Sequence, residues 1–274
     1  PDSRVYKEEV WRPENNFDIA LKLLTEVKKQ RNATPNWDLE IPFAVTDPDN
    51  PRATVKVVGN PNLGFVKGAM IGVRNVDPLQ NPHCVEVWVN ELRLNGFNEQ
   101  AGYAGQARVD MKLADLGNVS LAGNYTSIGW GSIEQKLVQR QREEVVQYDL
   151  STNLELGKLL PEKSGIKVPF YAQYSNTTRI PGYDPYDLDI KLKDKLRETA
   201  NPADRDSIRQ QALDVTTVRG FNFTNVRMER RGKKVPLPWD ISNFSFTYAF
   251  NQQRKRNPFI INDQLNQYKG GIDY

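Results

Sequence analysis

The chain has 274 residues, a formal net charge of +3, 38% hydrophobic residues and a mean hydropathy of -0.64. So small a positive balance carries no nucleic-acid footprint. One cysteine, Cys84, beside one histidine, His83, excludes an internal disulfide and a Cys/His metal cluster.

Taken in order, Phe17, Leu21, Leu24 and Val27 recur at helical spacing and predict a helix over 17–31 that docks on a sheet. Asn15 or Asn16 can cap its start, and Lys28, Lys29 and Arg31 suit its end. Turn-rich stretches follow at 34–37, 47–51 and 60–62, with strand candidates at 54–58 and 69–74 between and after them. The strongest early strand is 85–94, where Val85, Val87 and Val89 alternate with Glu86, Trp88 and Asn90 in the manner of a jelly-roll sandwich. On that strand His83 and Cys84 would face opposite sides, so they form no dyad. Residues 1–96 are therefore expected to form a soluble β-rich region, part of an insertion or a small sandwich with one helix.

From residue 97 the texture changes to clean two-residue alternation. Tyr103, Ala107, Val109, Met111 and Leu113 share one face, and Gln106, Arg108, Asp110 and Lys112 the other. The pattern repeats over 118–127, 147–157, 166–176, 219–226 and 243–251, and resumes near 267. Pro169 marks a bulge or a strand end. A very short link over 114–117 and a tight turn over 158–165 alternate with long connections over 128–146 and 177–215, the last with helical patches at 192–200 and 203–213. The links over 227–242 and 252–266 are intermediate, and the basic runs 227–234 and 254–256 read as solvated loops.

No run reaches the roughly 18 apolar residues of a membrane-spanning helix. Tilted strands of about 9–11 residues can cross a bilayer, however, provided that they close into a barrel that leaves no backbone group unpaired. Tyr103, Tyr125, Tyr148, Tyr174 and Phe250 end the apolar faces as an interfacial girdle would, and Trp130 fits the same belt. Residues 97–274 are thus expected to be a segment of a large antiparallel transmembrane β-barrel. Its lipid-facing residues would be Val109, Met111, Leu113, Leu121, Leu150, Leu154, Phe170 and Phe246. Its lumen-facing residues would be Arg108, Asp110, Lys112, Asn124, Asp149, Asn153, Glu155 and Lys167.

Two other classes stand beside this one. A secreted β-sandwich binding module, for carbohydrate or protein, would use Trp88, Trp130 and Trp239 as platforms. A glycoside hydrolase needs two carboxylates across a cleft, and no pair stands out, so the chain is not expected to be an enzyme or to hold a cofactor or metal. The acid-rich segment 184–189 lacks the spacing of an EF-hand and reads as a solvated turn.

Several ordered segments carry a family resemblance. They are Val10-Trp-Arg-Pro-Glu-Asn-Asn16, Met70-Ile-Gly-Val-Arg-Asn75, Glu86-Val-Trp-Val-Asn-Glu-Leu-Arg-Leu94 and Ala107-Arg-Val-Asp-Met-Lys-Leu-Ala-Asp115. Further along come Asn118-Val-Ser-Leu-Ala-Gly123, Gly131-Ser-Ile-Glu134, Asp187-Leu-Asp-Ile-Lys-Leu-Lys-Asp194, Phe223-Thr-Asn-Val226 and Gln267-Tyr-Lys-Gly-Gly271. Together they resemble the SprA (Sov) family of type IX secretion and gliding motility, and the chain reads as an internal section of such a protein. The resemblance implies an outer-membrane, cell-surface translocon that exports folded proteins and gliding adhesins through a very wide barrel. It implies as partners secreted cargo with C-terminal signal domains, a partner outer-membrane barrel, a periplasmic plug and outer-membrane lipid, with no nucleic acid.

Overall fold

The computed structural model describes residues 11, 13–76, 81, 82, 84, 86–96, 98–230, 235 and 237–274. The chain divides into two compact units: one runs up to Val73 and recruits Asp187–Ile190, and the other holds Arg74–Tyr186 and Lys191–Tyr274.

The first unit is a helix and a hairpin. Helix α1 spans Leu21–Ala33, and strands β1 (Phe43–Thr46) and β2 (Thr54–Val57) pair antiparallel with Phe43 opposite Val57. The helix starts later than its apolar spacing predicts. Pro13–Asn15 forms a 3-10 turn closed by the Asn16 N–H on the Pro13 carbonyl at 3.1 Å, and Ala20, which has no capping oxygen, holds the cap position. Phe17 and Leu21 stay exposed, so only the C-terminal end of the predicted stripe is used. The buried apolar residues of this unit are Val27, Val57 and Ile190. Lys28 and Arg31, which suit the helix end by charge, are each 2% exposed.

Two expected strands are absent. Residues 69–74, and the described part of 85–94, are irregular, with Val73, Val87, Trp88, Val89, Leu92 and Leu94 all exposed. Alternation makes a strand only where a neighbouring strand takes up its backbone groups, and among the described residues none lies beside them. Among the described residues no jelly-roll sandwich is formed. Val85 and His83 lie outside the described residues.

The second unit is built on one antiparallel sheet. Its strands are β3 (Ala104–Leu113), β4 (Gly117–Thr126), β5 (Glu143–Glu155), β6 (Ile166–Lys167) and β7 (Pro169–Pro181). After the short strands β8 (Tyr183–Asp184) and β9 (Asp187–Lys191), helices α2 (Leu192–Glu198) and α3 (Pro202–Ala212) lead into β10 (Asp214–Met228), β11 (Ser245–Asn257) and β12 (Ile260–Asp273). The order across the sheet is β12-β11-β10-β7-β5-β4-β3, with β6 against β10. Apart from β6, each strand lies beside the sheet strands nearest to it in the chain, as in an up-and-down barrel wall. Pro169 opens β7 and parts it from β6, which matches its missing ladder donor.

Local chemistry sets the turns. Between β3 and β4 the Leu116 N–H closes on the Leu113 carbonyl at 2.9 Å, with Ala114 in the left-handed region at φ 48°. Gly117 follows with φ 149°, and a Cβ there would lie 2.0 Å from the Asn153 carbonyl oxygen, so only glycine fits. In β10 the register shifts between Phe223 and Val226, where Asn225 adopts φ 56° and its N–H reaches Thr247 Oγ1 at 3.2 Å. This is a bulge with asparagine in the left-handed position.

The upper part of β11 and the first half of β12 correct the sequence reading. Residues 252–266 are not an intermediate loop: both strands continue, joined by a turn at Pro258 and Phe259. The basic run 254–256 accordingly lies in β11, whereas residues 231–234 of the other run fall outside the described residues.

Candidate functional site

The sheet has two chemically distinct faces. The register places Val109 beside Leu121, Leu121 beside Leu150, and Leu150 beside Tyr174, all on one face. Below them Leu113, Gly117, Leu154, Phe170 and Phe223 form another row, and Phe246 pairs with Ile272. Met111 lies between these rows, opposite Val119. All eight apolar residues singled out from the sequence thus share one face. The other face takes Arg108, Asp110 and Lys112 of β3, Asn124 of β4, Asp149, Asn153 and Glu155 of β5, and Lys167 of β6, so all eight polar residues are together as well.

Neither face hides an apolar core. Val109 is 51% exposed, Leu121 46%, Leu150 42% and Phe246 48%. Among the described residues of the seven long strands and β6, the buried ones are Asn176 and Gln252, both amides. Burying a large apolar side chain is worth about 1.5–3 kcal/mol. The six exposed by about one half, Val109, Met111, Leu113, Leu121, Leu150 and Phe246, therefore leave roughly 4–9 kcal/mol unrealised in water, comparable to the whole stability of a domain. A soluble sandwich closes such a face against a second sheet about 10 Å away, and none packs on it among the described residues of this unit.

Ring pairs hold this face together across strands. Tyr103 and Tyr125 have centroids 5.6 Å apart, Tyr148 and Tyr174 6.0 Å, Phe170 and Phe223 4.9 Å, and Phe250 and Tyr268 5.1 Å. Such pairs contribute about 0.5–1.5 kcal/mol each beyond their area.

The upper aromatic limit of the apolar face descends in steps from β4 to β10 and runs level from β10 to β12. Tyr125 is level with Val146, and Tyr148 lies one same-face position below it. Tyr148 is level with Asn176, and Tyr174 is one position lower. Tyr174 is level with Arg219, Phe221 is one position lower still, and Phe221, Phe250 and Tyr268 share a row. From β4 to β12 the limit falls by six residues over five strand spacings, about 20 Å down for about 24 Å across, or a slope of ~40°. Strands in barrels tilt by about 35–45°. A level apolar belt on such strands crosses the register at that slope.

The polar face is a network of opposed and neutral groups. Arg108 Nε donates to Asp110 Oδ2 at 2.8 Å, and Asp110 also accepts from the Ser120 hydroxyl. Asp149 accepts from Gln147 Nε2 at 3.0 Å and from the Ser175 hydroxyl, and the Tyr171 hydroxyl donates to Gln173 Oε1 at 3.0 Å. Glu155 is engaged at the lower strand end, where Oε1 accepts the Val168 N–H at 2.7 Å. Lys167 pairs with Glu229 and, with Arg227, holds that carboxyl below its usual range. At the β3–β4 turn Lys158 lies 3.2 Å from Asp115 and lowers its carboxyl likewise.

The acid-rich segment is not a solvated turn. Asp184, 1% exposed, pairs with Lys195. Within the first unit Lys28 Nζ lies 2.6 Å from Asp187 and 3.0 Å from Asp189 and donates to the Pro61 carbonyl at 2.8 Å. Burial and the neighbouring Asp189 carboxylate push Asp187 up. Burial also opposes Asp189, but hydrogen bonds from Asp187 and Lys28 outweigh it and hold Asp189 low. The usable signal was the alternation of Asp187 and Asp189 around Leu188, which places both carboxylates on one side of a strand. No group of three or more metal-ligating side chains occurs among the described residues. No described helix is long and apolar enough to cross a membrane, which leaves crossing by strands open.

Comparison with known proteins gives one family. The SprA model, described as a motility related/secretion protein, matches residues 2–196, most of the chain. No curated protein matches.

Proposed function

Because the chain belongs to the SprA family of motility-related and secretion proteins, we propose that its long sheet is an arc of the wall of an outer-membrane protein-conducting barrel, the translocon of type IX secretion. The slope of the aromatic limit carries this reading. A water-soluble sheet has no reason to lower its aromatic border by six residues across five strand spacings, whereas a level bilayer crossed by tilted strands requires it.

The facing of the sheet follows from this reading. Val109, Met111, Leu113, Leu121, Leu150, Leu154, Phe170 and Phe246 meet lipid, and the network from Arg108 to Lys167 lines a hydrated channel. Opposite charges side by side, as in Arg108 with Asp110, keep that wall wet without holding cargo of one sign. The chain acts on protein by passage. Folded proteins and gliding adhesins with C-terminal signal domains are the cargo class, with a partner barrel and a periplasmic plug at the two mouths.

The seven long strands have 10 to 15 residues, enough to cross and to stand above the apolar belt. The side with the connections 127–142 and 182–213 faces the cell exterior in this reading, and the short turn at Asp115 faces the periplasm. The tight turn at Pro258 departs from the rule of long exterior loops and still fits, because β11 and β12 carry their polar length above the belt as strand. Topology is tested by cysteine labelling of the full-length protein in intact cells with a membrane-impermeant maleimide, in a background whose own cysteines are replaced. Ile133→Cys, at a position 99% exposed, is expected to label from outside, and Asp115→Cys only after permeabilisation. Labelling of Asp115→Cys in sealed cells, or of neither position, overturns the reading.

A further inference from the structure

Above the descending aromatic limit, the outward face of β10 and β11 changes abruptly in chemistry. Arg219 follows Phe221 at the next outward position, and Arg254 and Arg256 follow Gln252 above Phe250. Arg219 and Arg254 are exposed and Arg256 is half-buried. Neutral amides orient two of these guanidiniums: Arg219 Nε donates to Gln252 Oε1 at 2.6 Å, and Arg254 Nε to Asn262 Oδ1 at 2.7 Å. Gln252, itself 9% exposed, donates in turn to Asn266 Oδ1 at 2.8 Å.

No described outward position on β7, β10, β11 or β12 carries a carboxylate, so three positive charges stand together without a carboxylate on their own or the adjoining strands of that face. The inward face differs, since Lys255 there is opposite Asp263. Height decides what meets this cluster. Arg219 and Arg254 stand two and four residues above the rings of Phe221 and Phe250, which on strands tilted ~40° is about 5–10 Å beyond the aromatic edge. The polar headgroup layer extends about 5–8 Å beyond the hydrocarbon on each side.

We propose that Arg219, Arg254 and Arg256 bind the phosphate groups of a phosphorylated lipid of the exterior leaflet, fixing lipid against this arc of the wall; Arg256, about 16 Å beyond the aromatic edge, reaches back ~7 Å along its stem toward the outermost phosphate. Arginine suits the task, because its planar fork accepts a phosphate through two donors and keeps its charge when partly dehydrated. The proposal rests on the lipid-facing assignment of the sheet.

The test uses the full-length protein in phosphatidylcholine nanodiscs doped with phosphorylated or dephosphorylated lipid A, with bound lipid measured by mass spectrometry. Each basic residue at a charged membrane surface is worth about five-fold in association. Phosphorylated lipid A is expected to be enriched over the dephosphorylated form, and the triple variant Arg219→Gln/Arg254→Gln/Arg256→Gln to lose that enrichment by on the order of 100-fold. Lys255→Gln, on the same strand but the inward face, is expected to leave it unchanged. No enrichment in the wild type, or an equal loss in Lys255→Gln, overturns the proposal. So does displacement by millimolar inorganic phosphate, which marks a free-anion site instead. A fluorophore on Leu150→Cys, quenched by brominated acyl chains, separates the two readings. Quenching without lipid A enrichment sinks the arginine site alone, and absence of quenching sinks the lipid-facing sheet.

Discussion

Leu121→Arg isolates the facing assignment at one residue. Leu121 is flanked on its row by Val109 and Leu150 and lies four residues below Tyr125. At a tilt of ~40° that is about 10 Å below the aromatic edge, beyond the ~7 Å over which an arginine can snorkel without distorting the wall. Arginine near the midplane of a barrel's lipid face costs about 2–4 kcal/mol, a factor of roughly 30 to 700 in the folding equilibrium. Asn124→Arg, three residues along the same strand, falls on the polar face between Gln106 and Gln147. Its cost should stay within about 0.5 kcal/mol, or two-fold. Urea titration of the full-length protein refolded into phosphatidylcholine vesicles measures both. Similar losses for the two variants, or a larger loss for Asn124→Arg, would refute the reasoning.

The buried cluster of the first unit gives an acid-side prediction. Asp189 is held below its ordinary range, so its stabilisation is complete above a pH of about 4 and disappears as pH falls through the lowered value. Asp187 is raised, takes its proton first, and then costs the folded state less. Asp189→Asn should therefore destabilise the unit at pH 7 by about 1–3 kcal/mol, since Lys28 keeps Asp187 and the Pro61 carbonyl, and Asp187→Asn by clearly less; thermal melts followed by hydrogen exchange over residues 21–33 report the order, and its reversal contradicts the pairing. At the β10 bulge, Asn225→Gly should be near neutral and Asn225→Val should cost about 1–2 kcal/mol, because a β-branched residue resists positive φ; equal urea midpoints for the two would argue against the bulge.

Where each strand meets one medium on each face, alternation was enough to find it. From β3 to Phe223 of β10, and again in the lower half of β11, the apolar and polar faces can be read by counting every second residue, and the structure keeps that phase except at the β10 bulge. The reading failed above the belt. Along Gln252–Gln267 both faces are largely polar, alternation disappears, and a continuing strand is indistinguishable from a loop. Residues 86–94 failed in the opposite way, because a clean pattern without a partner strand makes no ladder. The ion pairs of Lys28 were not legible, because the carboxylates that engage it lie about 160 residues further on. The arginine cluster was hidden for a related reason. Arg219 and Arg254 become neighbours only when the β10–β11 register is known.

The central claim is that a sloping belt, greasy outside and wet inside, winds across this sheet. Nitroxide labels placed singly along β4 from 119 to 125 and along β10 from 215 to 223, in the full-length protein in bilayers, test it most directly. Collision rates with oxygen and with a water-soluble nickel chelate are the readout. On β4 oxygen should dominate at Val119, Leu121 and Gly123 and the chelate at Ser120, Ala122 and Asn124, while on β10 the outward face should switch to the chelate between Phe221 and Arg219. Outward labels shielded from both reagents, or a border at the same register on both strands, would contradict the account.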